Sequence, residues 1–139
     1  MKQLILPAVL KNLEAMMALI TDEAKSLGFD EKKLYHIKLA AEEVLVNIIN
    51  YAYPDKHGDI ELTVSTRGHD GIEVVVVDRG IVFDPLSLPE PDIHASMEKR
   101  KIGGLGVFLV RKLMDEVTYR REEDRNILTF VKFKNPQKT

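Results

Sequence analysis

The chain has 139 residues, 45% of them apolar and 30% charged, with a net charge of −2 and no cysteine. This length favours one domain, 1–139, with a real hydrophobic core, and the composition is that of a globular chain. Near-neutral charge without a basic stripe argues against nucleic-acid binding, and the lack of cysteine excludes disulfides, thiolate zinc sites and thiol catalysis. No segment approaches the length of a membrane span, and the start, MKQLILPAVLKN, lacks the longer apolar core of a signal peptide. The expectation is a cytoplasmic protein with no membrane partner.

KQLILP, closed by Pro7, predicts a short strand. Leu10, Leu13, Met16 or Met17, Ile20 and Ala24 recur at helical spacing over residues 10–27, and Gly28 follows as a stop. Asp30 has the chemistry of an N-cap, with Lys33 where a capping box would want Glu. The helix it opens runs to about Ala52 and ends before Pro54. DIELTVST alternates Ile60, Leu62 and Val64 with polar residues, a half-buried strand. RGHDG turns the chain, and IEVVVVD returns as a strand expected to be buried on both faces. Residues 82–102 hold three prolines and little periodicity, which predicts a lid or a disordered loop. GGLGVFLVRKLMDE reads as glycines opening an amphipathic helix, and EVTYRREE with NILTFVKFK as a hairpin turning around Asp124 to Asn126. The order β-α-α-β-β-lid-α-β-β predicts an α+β fold: a two-layer sandwich with helices on one face of a mixed, mostly antiparallel sheet.

At about 100° per residue, Leu34, Ile37, Ala41, Val44, Leu45, Ile48 and Ala52 share one face of the second helix. His36, Glu43, Asn47 and Asn50 lie opposite. One reading is a solvated helix face. The other is a cleft wall, because Leu39, Val46 and Tyr51 flank the polar line. Glu43 and Asn47 are four apart and therefore surface neighbours. A carboxylate beside a carboxamide can serve as a base and as an oxygen ligand for magnesium already held by phosphates.

Asp78 ends the apolar run VVVV just before Gly80. It reads either as a turn residue or as a carboxylate at a pocket mouth, accepting a hydrogen bond from an exocyclic amine such as that of adenine. In the second case Gly80 lets the backbone approach the base. The run Gly103, Gly104, Leu105 and Gly106 stands at a loop-to-helix junction, where backbone N–H groups and the helix dipole favour phosphate. It is neither a dinucleotide fingerprint nor a P-loop. His36, His57, His69 and His94 show no metal-ligand spacing and are expected at the surface.

E-x-x-x-N on a helix, D-x-G after a strand and G-G-L-G opening a later helix together resemble the nucleotide site of the gyrase, Hsp90, histidine-kinase and MutL superfamily of ATPases. The finer resemblance is to its small branch, the anti-sigma-factor serine-protein kinases. It is carried by EEVLVNIINYAYP, VVVDRGIVFDPL and RKIGGLGVFLVRKLMDEVTYRREEDRNILTFVK, and extends from about residue 8 to residue 134. The resemblance implies the Bergerat, histidine kinase-like fold, ATP and Mg2+ as cofactors, and residues 82–102 as the ATP lid. It implies Glu43 as the base and Asn47 as the magnesium ligand, with Asn50 nearby. Asp78 with Gly80 would read adenine. Gly103, Gly104, Leu105 and Gly106 would close over the phosphates, joined by Arg100 or Lys101. Val82 stands where the wider superfamily often has a second glycine, Tyr51 where many relatives have His, and Ile102 where some have Arg.

The implied activity is ATP-dependent phosphorylation of a small antagonist protein on Ser or Thr by a homodimer that also sequesters a sigma factor. The alternative is a non-catalytic ATP-binding module that switches partners. An intact E-x-x-x-N argues against it, because such a module needs no base.

Overall fold

The computed structural model describes residues 1–82 and 104–135. The expected lid therefore falls, apart from Val82, on residues outside those described. The elements are β1 (Lys2–Pro7), a 3-10 turn (Leu10–Asn12), α1 (Leu13–Ser26), α2 (Glu31–Tyr51), β2 (Asp59–Arg67), β3 (Gly71–Asp78), α3 (Gly104–Leu113), β4 (Glu116–Glu122) and β5 (Arg125–Phe133).

The helix ends follow local chemistry. Gly28 takes φ 88°, the left-handed conformation that costs glycine least. The amides of Gly28 and Phe29 fold back onto the carbonyls of Lys25 and Ala24, a Schellman end for α1. Two residues later Asp30, with extended backbone, accepts the Lys33 amide at 2.8 Å and caps α2. Lys132 Nζ donates to the Leu113 carbonyl at 2.6 Å, satisfying an acceptor at the C-terminus of α3.

The sheet has five strands in the order β1-β2-β3-β5-β4. All four pairings are antiparallel, which corrects the expectation of a mixed sheet for the described strands. The cause is the β4–β5 hairpin. It inserts β5 beside β3 and leaves β4 at the edge, so the connection through α3 joins no parallel neighbours.

The core lies between one sheet face and the helices. It combines Met16 and Ile20 of α1, Ile37, Ala41, Val44 and Leu45 of α2, and Ile60, Leu62, Val64, Ile72, Val74 and Val76 of β2 and β3, with Phe130 of β5. Each fully buried Ile, Leu or Phe contributes about 1.5–3 kcal/mol against an exposed position. The predicted apolar stripe of α2 is this core face, with Ala40 added and Leu34 and Ile48 at its margins. Among the Ile and Val side chains of β3 burial alternates: Ile72, Val74 and Val76 are buried, whereas Val75 and Val77 are half-buried. Burial on both faces is thus corrected, since the helices cover the sheet on one side.

Candidate functional site

The last residue of β3, Asp78, is 6% exposed. Its partner in register on β5, Asn126, is also 6% exposed. These two are the buried polar residues among those described. Both sit on the core side of the sheet, where Leu6 and Ile60 continue the same cross-strand row. Asp78 Oδ1 accepts from the Gly80 amide at 2.9 Å and from Asn126 Nδ2 at 2.9 Å. Burial pushes the carboxyl pKa above the ordinary aspartate range; the Asn126 and Gly80 hydrogen bonds and the Arg121 charge oppose that shift.

The loop after Asp78 is fastened from several sides. The Arg79 amide donates to the Tyr53 hydroxyl at 2.7 Å, and the Ile81 amide donates to the Ala52 carbonyl at the end of α2 at 2.9 Å. The Gly80 carbonyl accepts from Arg121 at 3.0 Å and the Ile81 carbonyl from Asn126 at 2.8 Å. Such a loop is preorganised, so a ligand meeting Asp78 need not order it. Gly80 has a cause the sequence did not disclose. Its close neighbour is Ala52, so the small side chain lets the loop dock on α2.

Glu43, Asn47 and Asn50 lie along α2, whose C-terminal end meets this loop. At 1.5 Å of rise per residue, Asn47 stands about 8 Å and Glu43 about 13 Å along the helix from Ala52. Glu43 and Asn47 are half-buried and Asn50 is exposed. Burial, followed by the neighbouring charge of Glu42, pushes the Glu43 carboxyl pKa above the ordinary glutamate value. The helix α3 packs against α2. It opens at Gly104, so Gly104, Leu105 and Gly106 form its first turn, where backbone N–H groups lack intrahelical partners. Arg100, Lys101 and Gly103 lie outside the described residues. His57 and His69 are exposed as expected and His94 is not described. His36 departs from that expectation: it is half-buried, and its buried Nδ1 has no hydrogen-bond partner.

Asn126, Tyr119, Arg121 and Tyr53 were missed by sequence reasoning. The one signal for Asn126 was an uncharged amide at the head of an otherwise apolar strand, and the expected hairpin placed it in the turn instead.

The donor set fits an adenine nucleotide with magnesium. A buried acceptor suits an exocyclic amine, a carboxamide and a carboxylate supply hard oxygen atoms, and a helix N-terminus suits phosphate. Among the described residues no three His, Asp or Glu side chains converge as a metal site. Magnesium there would take its other ligands from phosphate and water.

The family model for the histidine kinase-like ATPase domain matches residues 6–132. A protein named serine-protein kinase RsbW from Bacillus cereus is 27% identical over 127 residues, covering 88% of this chain and 79% of the relative. Another of that name, from Oceanobacillus iheyensis, is 34% identical over 104 residues, covering 68% and 62%. Among solved structures, the RsbU and RsbW domains of Rv1364c from Mycobacterium tuberculosis superpose with a TM-score of 0.65 at 15% identity, covering 96% of this chain and 32% of that one. The catalytic domain of the histidine kinase ThkA superposes with a TM-score of 0.56 at 15% identity, covering 99% and 100%. At such identities the structural matches speak to the fold, and the chain spans about a third of the first.

Proposed function

The chain belongs to the histidine kinase-like ATPase family, and from that premise we propose that it is an ATP-dependent serine/threonine protein kinase of the anti-sigma type. The observation that carries the reading is the buried Asp78 carboxylate, held as an acceptor at the end of β3 beside the helix that bears Glu43 and Asn47. The curated relatives named serine-protein kinase support it.

In this reading Asp78 accepts a hydrogen bond from the adenine amine, and the Gly80 loop lies alongside the base. Asn47 would hold magnesium through its carbonyl oxygen, with Asn50 near the same phosphates. Magnesium supplies charge neutralisation on the phosphates. The first turn of α3, at Gly104, Leu105 and Gly106, offers amide donors to them, with Gly103 and one of Arg100 or Lys101 completing the cradle. Glu43 takes the proton of a Ser or Thr hydroxyl on the protein substrate as that oxygen bonds to the γ-phosphorus and the bond from phosphorus to the β,γ-bridging oxygen breaks. Positioning and electrostatics carry most of the acceleration.

The substrate in this proposal is a small antagonist protein, and the unphosphorylated antagonist competes with a sigma factor for a cytoplasmic homodimer. Among the described residues no helix is long and apolar enough to cross a membrane. The test is transfer of labelled phosphate from ATP with magnesium to a candidate small antagonist protein. Label on Ser or Thr of that protein is the expected result. Nucleotide binding without any transfer would instead favour the non-catalytic switching module.

A further inference from the structure

Asn126 is held at both ends. Its Oδ1 accepts from the Tyr119 hydroxyl at 2.6 Å and from Arg121 Nη1 at 3.2 Å, while its Nδ2 donates to Asp78 Oδ1 at 2.9 Å and to the Ile81 carbonyl at 2.8 Å. Donor chemistry fixes this orientation. A guanidinium can only donate, so the amide atom facing Arg121 must be oxygen. The –NH2 group must then face Asp78, where an ionised carboxylate can only accept. Arg121 also donates to the Gly80 carbonyl at 3.0 Å, so one side chain of β4 holds both the loop and the amide behind Asp78.

We propose that Tyr119 and Arg121 are positioning residues that set base specificity through Asn126, by keeping Asp78 an obligate acceptor. The inference rests on the reading of Asp78 as the group that meets the base. An acceptor-only carboxylate matches the 6-amino group of adenine and opposes the 6-oxo group of hypoxanthine or guanine. Without Tyr119 and Arg121 the Asn126 oxygen loses both its donors and the guanidinium charge beside the Asp78–Asn126 pair is gone, so the balance at Asp78 moves toward a protonated carboxyl. A protonated Asp78 donates to a 6-oxo group, so discrimination relaxes. A purely structural role for the two residues would weaken all nucleotides alike and leave their ratio unchanged.

The experiment measures affinities for ATP and inosine triphosphate, with magnesium, on the full chain. The wild type is expected to prefer ATP. In the Tyr119→Phe/Arg121→Met double variant, shown folded by its thermal transition, that preference should fall about tenfold while ATP still binds. Arg121→Gln is the second variant, since glutamine can present either oxygen or nitrogen to Asn126. It should shift the ratio in the same direction, and it decides the question if the double variant does not fold. A wild type that binds both nucleotides equally refutes the reading of Asp78 itself. A wild-type preference that survives unchanged in a folded variant refutes only the role of Tyr119 and Arg121.

Discussion

Gly80 rests directly on Ala52. A methyl group built on Gly80 would run into the Ala52 carbonyl oxygen and stand 2.6 Å from its Cβ. Neither obstacle is the loose end of a side chain; both belong to the last turn of α2, whose carbonyl also receives the Ile81 amide. The loop carrying Asp78 and the helix carrying Glu43 therefore keep their distance only while residue 80 has no side chain.

Gly80→Ala should cost about 1–3 kcal/mol, the usual range for overpacking. Urea unfolding of both proteins measures it. Because the strain falls between the loop and α2, the variant should also bind ATP more weakly. A variant as stable as the wild type would show that the loop is not wedged against Ala52.

Asp78→Asn separates stability from binding. Burial, the leading cause, raises the Asp78 pKa in the fold. Below the unfolded value, about pH 4, the carboxyl is protonated in both states and its contribution is fully present. That contribution is lost as pH rises through the higher folded value. Asparagine does not titrate there, so melting curves should show the variant gaining on the wild type as pH rises above about 4. Calorimetry at neutral pH should meanwhile show ATP affinity about ten- to a hundredfold weaker, the value of one charge-assisted hydrogen bond. Equal ATP affinity in a folded variant would remove Asp78 from the base pocket.

What the sequence disclosed was what is local. Asp30 and Gly28 were legible because a cap and a helix stop are decided by a few neighbouring residues. The polar line of α2 was legible from its helical period alone. Asn126 was not, because its partner lies 48 residues away and the pairing of β3 with β5 depends on the whole sheet. The same limit misplaced the closing turn. Asp124 to Asn126 held the residues that favour turns, yet the turn falls at Glu123 and Asp124, with Glu123 at φ 57°, a conformation glutamate rarely takes. Moving the turn forward is what frees Asn126 to face Asp78.

Tyr53→Phe tests the fastening of the loop apart from its chemistry. The Tyr53 hydroxyl accepts from the Arg79 amide at 2.7 Å and donates to the Asp59 carbonyl at 2.7 Å. Phenylalanine keeps the ring, which lies in the space left open by Gly58. Losing two partly solvated bonds should cost about 1–2 kcal/mol. Amide hydrogen exchange at Arg79 should quicken by more than that global loss explains. Unchanged exchange there would mean that the loop is held by Ala52, Asn126 and Arg121 without the tyrosine.

Glu43→Gln bears on the chemistry itself. The two side chains are nearly the same size and position 43 is half-buried, so fold and core should survive. ATP affinity should persist, since the proposed reader of the base is Asp78 and the proposed magnesium ligand is Asn47. Glutamine cannot take a proton from the attacking hydroxyl, and losing a general base typically costs about 10²–10⁴ in rate. Burial raises the pKa of Glu43, so the wild-type rate should climb with pH until that carboxyl is ionised, and the variant should lack the climb. Asn47→Ala should behave differently, weakening the magnesium-dependent part of ATP binding along with turnover. If Glu43→Gln phosphorylates the antagonist protein at the wild-type rate, the polar line of α2 is a solvated helix face and the base must be sought elsewhere.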